Sequence, residues 1–393
     1  MHPIKLKRFN NAQFLKGIGR ELLHRLFSRF EPELKAANLD LPPPALSDND
    51  YFSHLGVLCL HLEQFPPDLN EALIAIEELS STEGVTALQS SSQWIKLQPL
   101  LRPESSAPDI ATQVWLLDRK LLHGVCNRQR LRRLTSFEHA ASPLPPGQRA
   151  KYNPEDKTSI LSLTVDLDSW FARHSRGYET TQIDIYPMDD EFWYIIRHGD
   201  LFSRVSKVER RNREILNFRP EKDDVVIVNS RGQELRVNAR TQTERDLYIR
   251  MFGRHLFASE KHFSERNIFN LEPLRTEGLD ILRTTGLDNV QCIALREFEA
   301  RPPAAAIATY TSQHEQCLLQ SWHKDNSLLV HRESLITRAI FDIHFARHDK
   351  PHPVEIKLPN FLKISRCCDA STIHQWITRS NLRQAGELVI GDR

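Results

Sequence analysis

Two stretches in the middle of the chain have residue types and spacings that could do chemistry. The first is Trp193-Tyr-Ile-Ile-Arg197-His198-Gly199, an apolar run ending in Arg-His-Gly. A histidine at a strand end can take a phosphoryl group on a ring nitrogen while a neighbouring arginine holds the phosphoryl oxygens. That chemistry also needs a second histidine ending a later strand and a carboxylic acid as proton donor. Leu328-Leu329-Val330-His331 offers such a strand, so Arg197, His198 and His331 are candidates for phosphoryl transfer. The second stretch places Asp224 at the start of Asp-Val-Val-Ile-Val and Glu234-Leu235-Arg236 on the following run. An aspartate on one strand with Glu-x-Lys on the next can gather Mg²⁺ and an attacking water for phosphodiester cleavage. Asp224, Glu234 and Arg236 would be that set. Arg236 departs from it, because a permanently charged guanidinium is a poor water activator.

Two basic clusters could hold phosphates without cutting anything. Arg128, Arg130, Arg132 and Arg133 follow one helical pattern, and Arg204, Lys207, Arg210, Arg211 and Arg213 crowd residues 203–214. Four or five cations on one element neutralise nucleic-acid phosphates and release counterions, and the same charges can serve as a protein-contact surface. Phe202 and Phe218 flank the second cluster, but no aromatic stacking platform is evident in it. The Arg–His spacing of HEPN-type ribonucleases occurs at Arg250…His255 and Arg338…His344, in a chain with 17 histidines where chance produces such pairs. The Arg-His-Gly run is similar to the histidine-phosphatase signature, but the chain after it lacks the regular β/α alternation of that fold. There is no G-x-x-x-x-G-K-[ST], G-x-G-x-x-G, H-E-x-x-H or G-x-S-x-G, so phosphate cradles and hydrolytic centres of standard design are excluded. The six cysteines, at 59, 126, 292, 317, 367 and 368, form no C-x-x-C pair; they read as free thiols, with no metal site among them.

The elements that must position these residues are read from periodicity. Residues 1–140 predict a helical domain. Leu69, Leu73, Ile76 and Leu79 share one face of a helix over 66–81, and Ile110, Val114, Leu117 and Leu121 share one over 108–122. Residues 141–159, rich in proline and charge, predict a linker. Residues 160–260 predict an α+β domain with a helix after 160 and strands at 180–186, 191–197, 224–228 and 234–239. Gly232 turns the last two strands into a hairpin, which a helix over 241–257 follows. Residues 261–393 predict an α+β C-terminal domain, separate or an extension of the second, with strands at 289–298, 335–346 and around His-Pro-Val-Glu-Ile-Lys-Leu, then a helix near 369–379. The fold class is therefore α+β, a helical N-terminal domain followed by mixed α/β-hairpin structure.

Composition narrows the function classes. With 393 residues, two or three domains are expected. Lys and Arg number 52 against 51 Asp and Glu, a formal net charge of +1, so no global field draws the chain to nucleic acid or anionic lipid and any such binding is local. The basic N-terminus lacks the apolar core of a signal peptide and no run spans a bilayer, which predicts a cytoplasmic protein with no membrane partner.

The stretch Arg219-Pro220-Glu221, Asp224, Glu234-Leu235-Arg236, Asn238-Ala239 and Phe252-Gly253, then His255-Leu256-Phe257, resembles a family of large bacterial proteins of no assigned chemistry. Arg197-His198-Gly199 and Pro359-Asn360 belong to the same pattern, which covers about 160–390. The resemblance implies an accessory component of mobile gene clusters of the antiviral-defence kind. Together these readings predict a non-enzymatic member of a multi-protein assembly that contacts partner proteins, DNA or RNA and needs no cofactor. A Mg²⁺-dependent nuclease is the alternative.

Overall fold

The computed structural model describes residue 6 and residues 8–145, 153–209, 212–303, 306–312, 317–324, 330–364 and 370–384. The architecture is α+β, in two compact units, Met1–Arg133 and Leu134–Arg393. No described helix is long and apolar enough to cross a membrane.

The first unit is helical. Ser47, Ser81 and Ser106 each accept the backbone N–H of the third residue beyond them, at Asp50, Gly84 and Asp109, satisfying donors that a helix start leaves unpaired. Leu69, Leu73, Ile76 and Leu79 on the helix Pro67–Leu79 are fully buried, as their spacing predicts. The period over 108–122 crosses a break instead of forming one helix. Asp118 ends Ala107–Leu117 and caps Arg119–Arg132 by accepting from Leu121 N, which leaves Leu117 exposed. An aspartate side chain competes for backbone N–H groups and so favours a cap over a helix interior.

The second unit is built on one antiparallel sheet. Its strands are β1 (Ser136–Ala141), β2 (Gln182–Met188), β3 (Glu191–Gly199), β6 (Glu221–Asn229), β7 (Glu234–Asn238), β8 (Val290–Arg301), β9 (Ala308–Thr311), β10 (Leu335–Phe345), β11 (His352–Lys357) and β12 (Phe361–Ile364). They lie in the order β2-β3-β6-β7-β1-β12-β11-β10-β8-β9. β4 (Ser203–Glu209) and β5 (Asn212–Phe218) pair only with each other. Residues 136–141, expected at the end of the helical segment and the start of the linker, are thus a central strand. The segments divided at 260 belong to one unit, because β1 joins β7 on one side to β12 on the other. Of the expected linker, 146–152 lie outside the described residues, and the helix Lys157–Arg173 begins within the rest.

The sheet is covered on opposite faces in its two halves. Val226, Val228, Leu235, Val237 and Ala140 pack with Leu163, Phe171, Leu247 and Phe252 of the helices Lys157–Arg173 and Gln242–Phe257. Ala339, Phe341, Val354, Ile356 and Leu362 pack with Ile373, Trp376 and Ile377 of the helix Ala370–Arg379. Leu362 pairs with Phe137, whereas Ala140 lies at odd spacing from Phe137 on the same strand. Alternation along a strand therefore puts the two cores on opposite faces, with β1 at the changeover.

Candidate functional site

β3 and β6 are adjacent, and the chain between them forms the separate β4–β5 ribbon, so the ribbon is an arm growing from one hairpin of the sheet. At its neck the sheet residues form a buried ionic cluster. His198 and Asp224 are neighbours on one face, with His198 Nε2 3.0 Å from Asp224 Oδ2. Tyr248 donates to the same oxygen at 2.8 Å. Lys222 Nζ lies 3.0 Å from both Glu244 oxygens and 3.2 Å from Asp224 Oδ1. Arg176 bonds Glu244 Oε1 at 2.8 Å and also Asp200. Arg219 donates to the carbonyls of Ser175 and Asp200, and Asp200 N donates to Pro220 O, closing the neck. Glu244 is in addition the third residue of a capping box with Thr241, which starts the helix Gln242–Phe257.

The electrostatics of this cluster are mutually supporting. Burial works to raise the Asp224 carboxyl. The bond from His198, the Lys222 charge and the Tyr248 bond outweigh it and hold the group below its ordinary value. Burial and the Asp224 charge push the Tyr248 phenol well up, so it stays a donor. His198 Nδ1 faces the Gly199 carbonyl at 2.8 Å while Nε2 faces Asp224, and Phe171 stacks on the ring at 4.0 Å. Both nitrogens are thus engaged by protein groups inside a buried, stacked ring, so neither faces a site where a phosphoryl group could be taken up. Gly199 completes the Arg-His-Gly run for steric reasons, since a Cβ there would sit 2.1 Å from Arg176 O.

Among the described residues, His198, Asp224 and Glu244 offer ligand atoms that all lie within 4.8 Å of one another, a grouping that could hold a metal ion. The Lys222 ammonium bridges the two carboxylates, 3.0 Å from Glu244 and 3.2 Å from Asp224. The donor set as arranged is that of an ion-paired network in which lysine supplies the positive charge.

The nuclease candidates are separated. Val225 pairs with Asn238 and Val228 with Leu235, so Asp224 and Glu234 flank opposite ends of the β6–β7 ladder, about five residue rises or ~17 Å apart. They also point to opposite faces, because Asp224 is in phase with Val226 and Glu234 with Arg236. Glu234 forms a different cluster: His139 Nδ1 bonds its Oε1 at 2.6 Å and Arg383 its Oε2 at 2.9 Å. Burial lowers the His139 ring to about 4 against the pull of Glu234. Glu234, although burial opposes it, is held well below the carboxylate range by Arg383, His139 and Arg236. Arg236 pairs with Glu191 and lies over Phe137.

The phosphoryl-transfer candidates separate for the same reason of pleat. Arg197 points away from His198 and pairs with Asp184 and Asp223. His331 is exposed in the loop before β10, and residues 325–329 of its expected strand lie outside the described residues. From β3 to β10 there are six strand spacings, ~29 Å. The Arg–His pairs are also engaged elsewhere. His255 bonds Asp166 at 2.9 Å, and Arg338, on a strand, meets Glu297, Glu299 and Glu355. Cys59, Cys126, Cys292 and Cys317 are free thiols, and Cys367 and Cys368 lie outside the described residues.

The basic clusters have contrasting settings. In the first, Arg130 and Arg133 both clamp Glu78, at 2.7 and 2.5 Å, which ties two of the four charges to the helix Pro67–Leu79. In the second, Arg204 and Arg213 are exposed on the arm and Lys207 is half-buried, while Arg210 and Arg211 lie outside the described residues. The arm pairs Ser203 with Phe218 through to Glu209 with Asn212, six residue rises or about 20 Å of ribbon. Every residue of β5 is exposed, as are Val205 and Val208 on β4. Sequence reading found the arm's charge and missed its form, although Ser-Arg-Val-Ser-Lys-Val carries β-branched residues and a turn-like Arg-Arg-Asn follows it. It also missed Lys222, Glu244, Tyr248, Arg176 and His139, which carry no motif. No protein-family model matches the chain, and no curated protein matches it.

Proposed function

We propose that this protein is a non-enzymatic nucleic-acid-binding component of a multi-protein assembly, and that the β4–β5 arm is its grip. The observation that carries the reading is the arm itself, an exposed two-stranded ribbon, in a stretch whose sequence over 203–218 has five basic residues against two acidic ones. A net +3 on so small an element neutralises backbone phosphates locally even though the whole chain is close to neutral. The polar residues that resemble catalytic ones support the arm: His198, Lys222 and Asp224 lie where β3 and β6 meet it, and Arg176 and Arg219 lace its neck. The assembly we propose is of the antiviral-defence kind, in line with the sequence resemblance.

The test is binding of labelled DNA and RNA to the full chain by fluorescence anisotropy across a salt series. Binding that weakens steeply with salt, and at least tenfold further with Arg204→Glu plus Arg213→Glu, supports the reading. No binding to either nucleic acid at low salt overturns it.

A further inference from the structure

The register of the arm sorts its side chains onto two unlike faces. Arg204 with Asn217, Ser206 with Ile215, and Val208 with Arg213 are cross-strand pairs on one face. Arg213 donates to Ser206 Oγ at 3.1 Å, a diagonal contact that confirms the shared face. The other face carries Val205 with Leu216, Ser203 with Phe218, and the opposed charges Lys207 and Glu214. The first face therefore presents two arginines, an asparagine and a serine beside two exposed aliphatic side chains, Val208 and Ile215.

We infer that this face, Arg204, Ser206, Val208, Arg213, Ile215 and Asn217, enters the major groove of double-stranded DNA and reads base edges there. The inference rests on the nucleic-acid-binding reading above and names the ligand class. Three physical points select the ligand. The major groove of B-form DNA, about 12 Å wide, admits a two-stranded ribbon. The A-form RNA major groove is too narrow and deep for side chains to read. Single strands are held by stacking on aromatic rings, and none of these six residues is aromatic; Phe218 lies on the other face and Phe202 precedes the paired residues. The side-chain set then matches what the major groove displays. Arginine bonds guanine O6 and N7, asparagine bonds adenine N6 and N7, serine pairs with either, and aliphatic groups touch the thymine methyl. Arg240, 75% exposed and 3.9 Å from Asp200 at the neck, is placed to meet a backbone phosphate as the arm enters.

The experiment is selection of bound duplexes from a randomised DNA pool with the full chain, followed by competition of the selected duplex against its single strands and against double-stranded RNA of the same sequence. We expect an enriched short motif and at least tenfold preference for duplex DNA. Arg204→Ala and Asn217→Ala should each lose about tenfold discrimination at one base position while the rest of the motif persists. Both side chains are on an exposed ribbon, and thermal unfolding of the variants verifies that the fold is kept. An unenriched pool, equal binding of duplex RNA or single strands, or equal weakening on all sequences by both substitutions would each overturn base reading while leaving nucleic-acid binding intact. Absence of all nucleic-acid binding, with a protein partner recovered through the arm, overturns both readings.

Discussion

Two carboxylate–histidine pairs sit at opposite ends of the β6–β7 ladder, Asp224 with His198 and Glu234 with His139. Each is buried, and in each the ring lies within 3.0 Å of a carboxylate oxygen. Their surroundings differ in sign. Around Asp224 a second carboxylate, Glu244, adds negative charge that Lys222 and Arg176 balance, and both His198 nitrogens face acceptors. Around Glu234 the extra groups are Arg383 and Arg236, so the imidazole has no need to be charged, and burial holds it neutral to about pH 4. The same two residue types thus sit in a knot of two carboxylates and two cations at the neck of an arm, and elsewhere as a neutral ring on a carboxylate held by arginines. A carboxylate–histidine contact reports nothing about catalysis until the remaining charges are counted.

The largest expected effect breaks the knot. Asp224→Ala leaves Lys222 and His198 buried beside a single carboxylate and should cost about 3–5 kcal/mol in denaturant unfolding, as removal of one partner of a buried pair does. If Asp224→Ala instead keeps full stability and removes a Mg²⁺-dependent cleavage, the site is catalytic and the comparison fails.

A smaller effect sharpens the other side. An unfolded His139 takes up a proton as pH falls below about 6.5, whereas the folded one waits until about 4. Its contribution is therefore present above pH 6.5 and lost as pH falls through that window, by about 3 kcal/mol at most. Unfolding measured between pH 7 and 4 should show this slope in the wild type and a shallower one in His139→Gln; equal slopes would assign the acid sensitivity elsewhere. The smallest effect belongs to the arm. Arg204→Glu with Arg213→Glu should change stability by no more than about 0.5 kcal/mol per substitution, since exposed residues away from packed features rarely do more. A large loss would mean that the arm packs against something its exposure does not reveal.

Much of the scaffold is legible because its signals are local. The run Asp224–Val228, the Gly232 turn at φ +62° and the helix after Thr241 all follow from neighbours within a few residues. The Leu69–Leu79 face does too. The break at Asp118 and the β1 strand are less legible, because one side chain's choice to cap and one strand's place between β7 and β12 depend on partners far along the chain. The candidate site is hardest to see. Glu244 can be anticipated as a capping-box residue, but its bonds to Lys222, 22 residues away, and to Arg176 follow from the packing of helix against sheet.

By itself the chain's order of residues set the helical faces, the β6–β7 hairpin with its turn and the capped helix after it, and that no phosphate cradle or metal-knuckle motif is present. Which acids meet which bases was settled only by register. Side chains alternate faces at every step of a strand, so the register that pairs Val225 with Asn238 and Val228 with Leu235 placed Asp224 and Glu234 at opposite ends of the ladder and on opposite sides of one sheet.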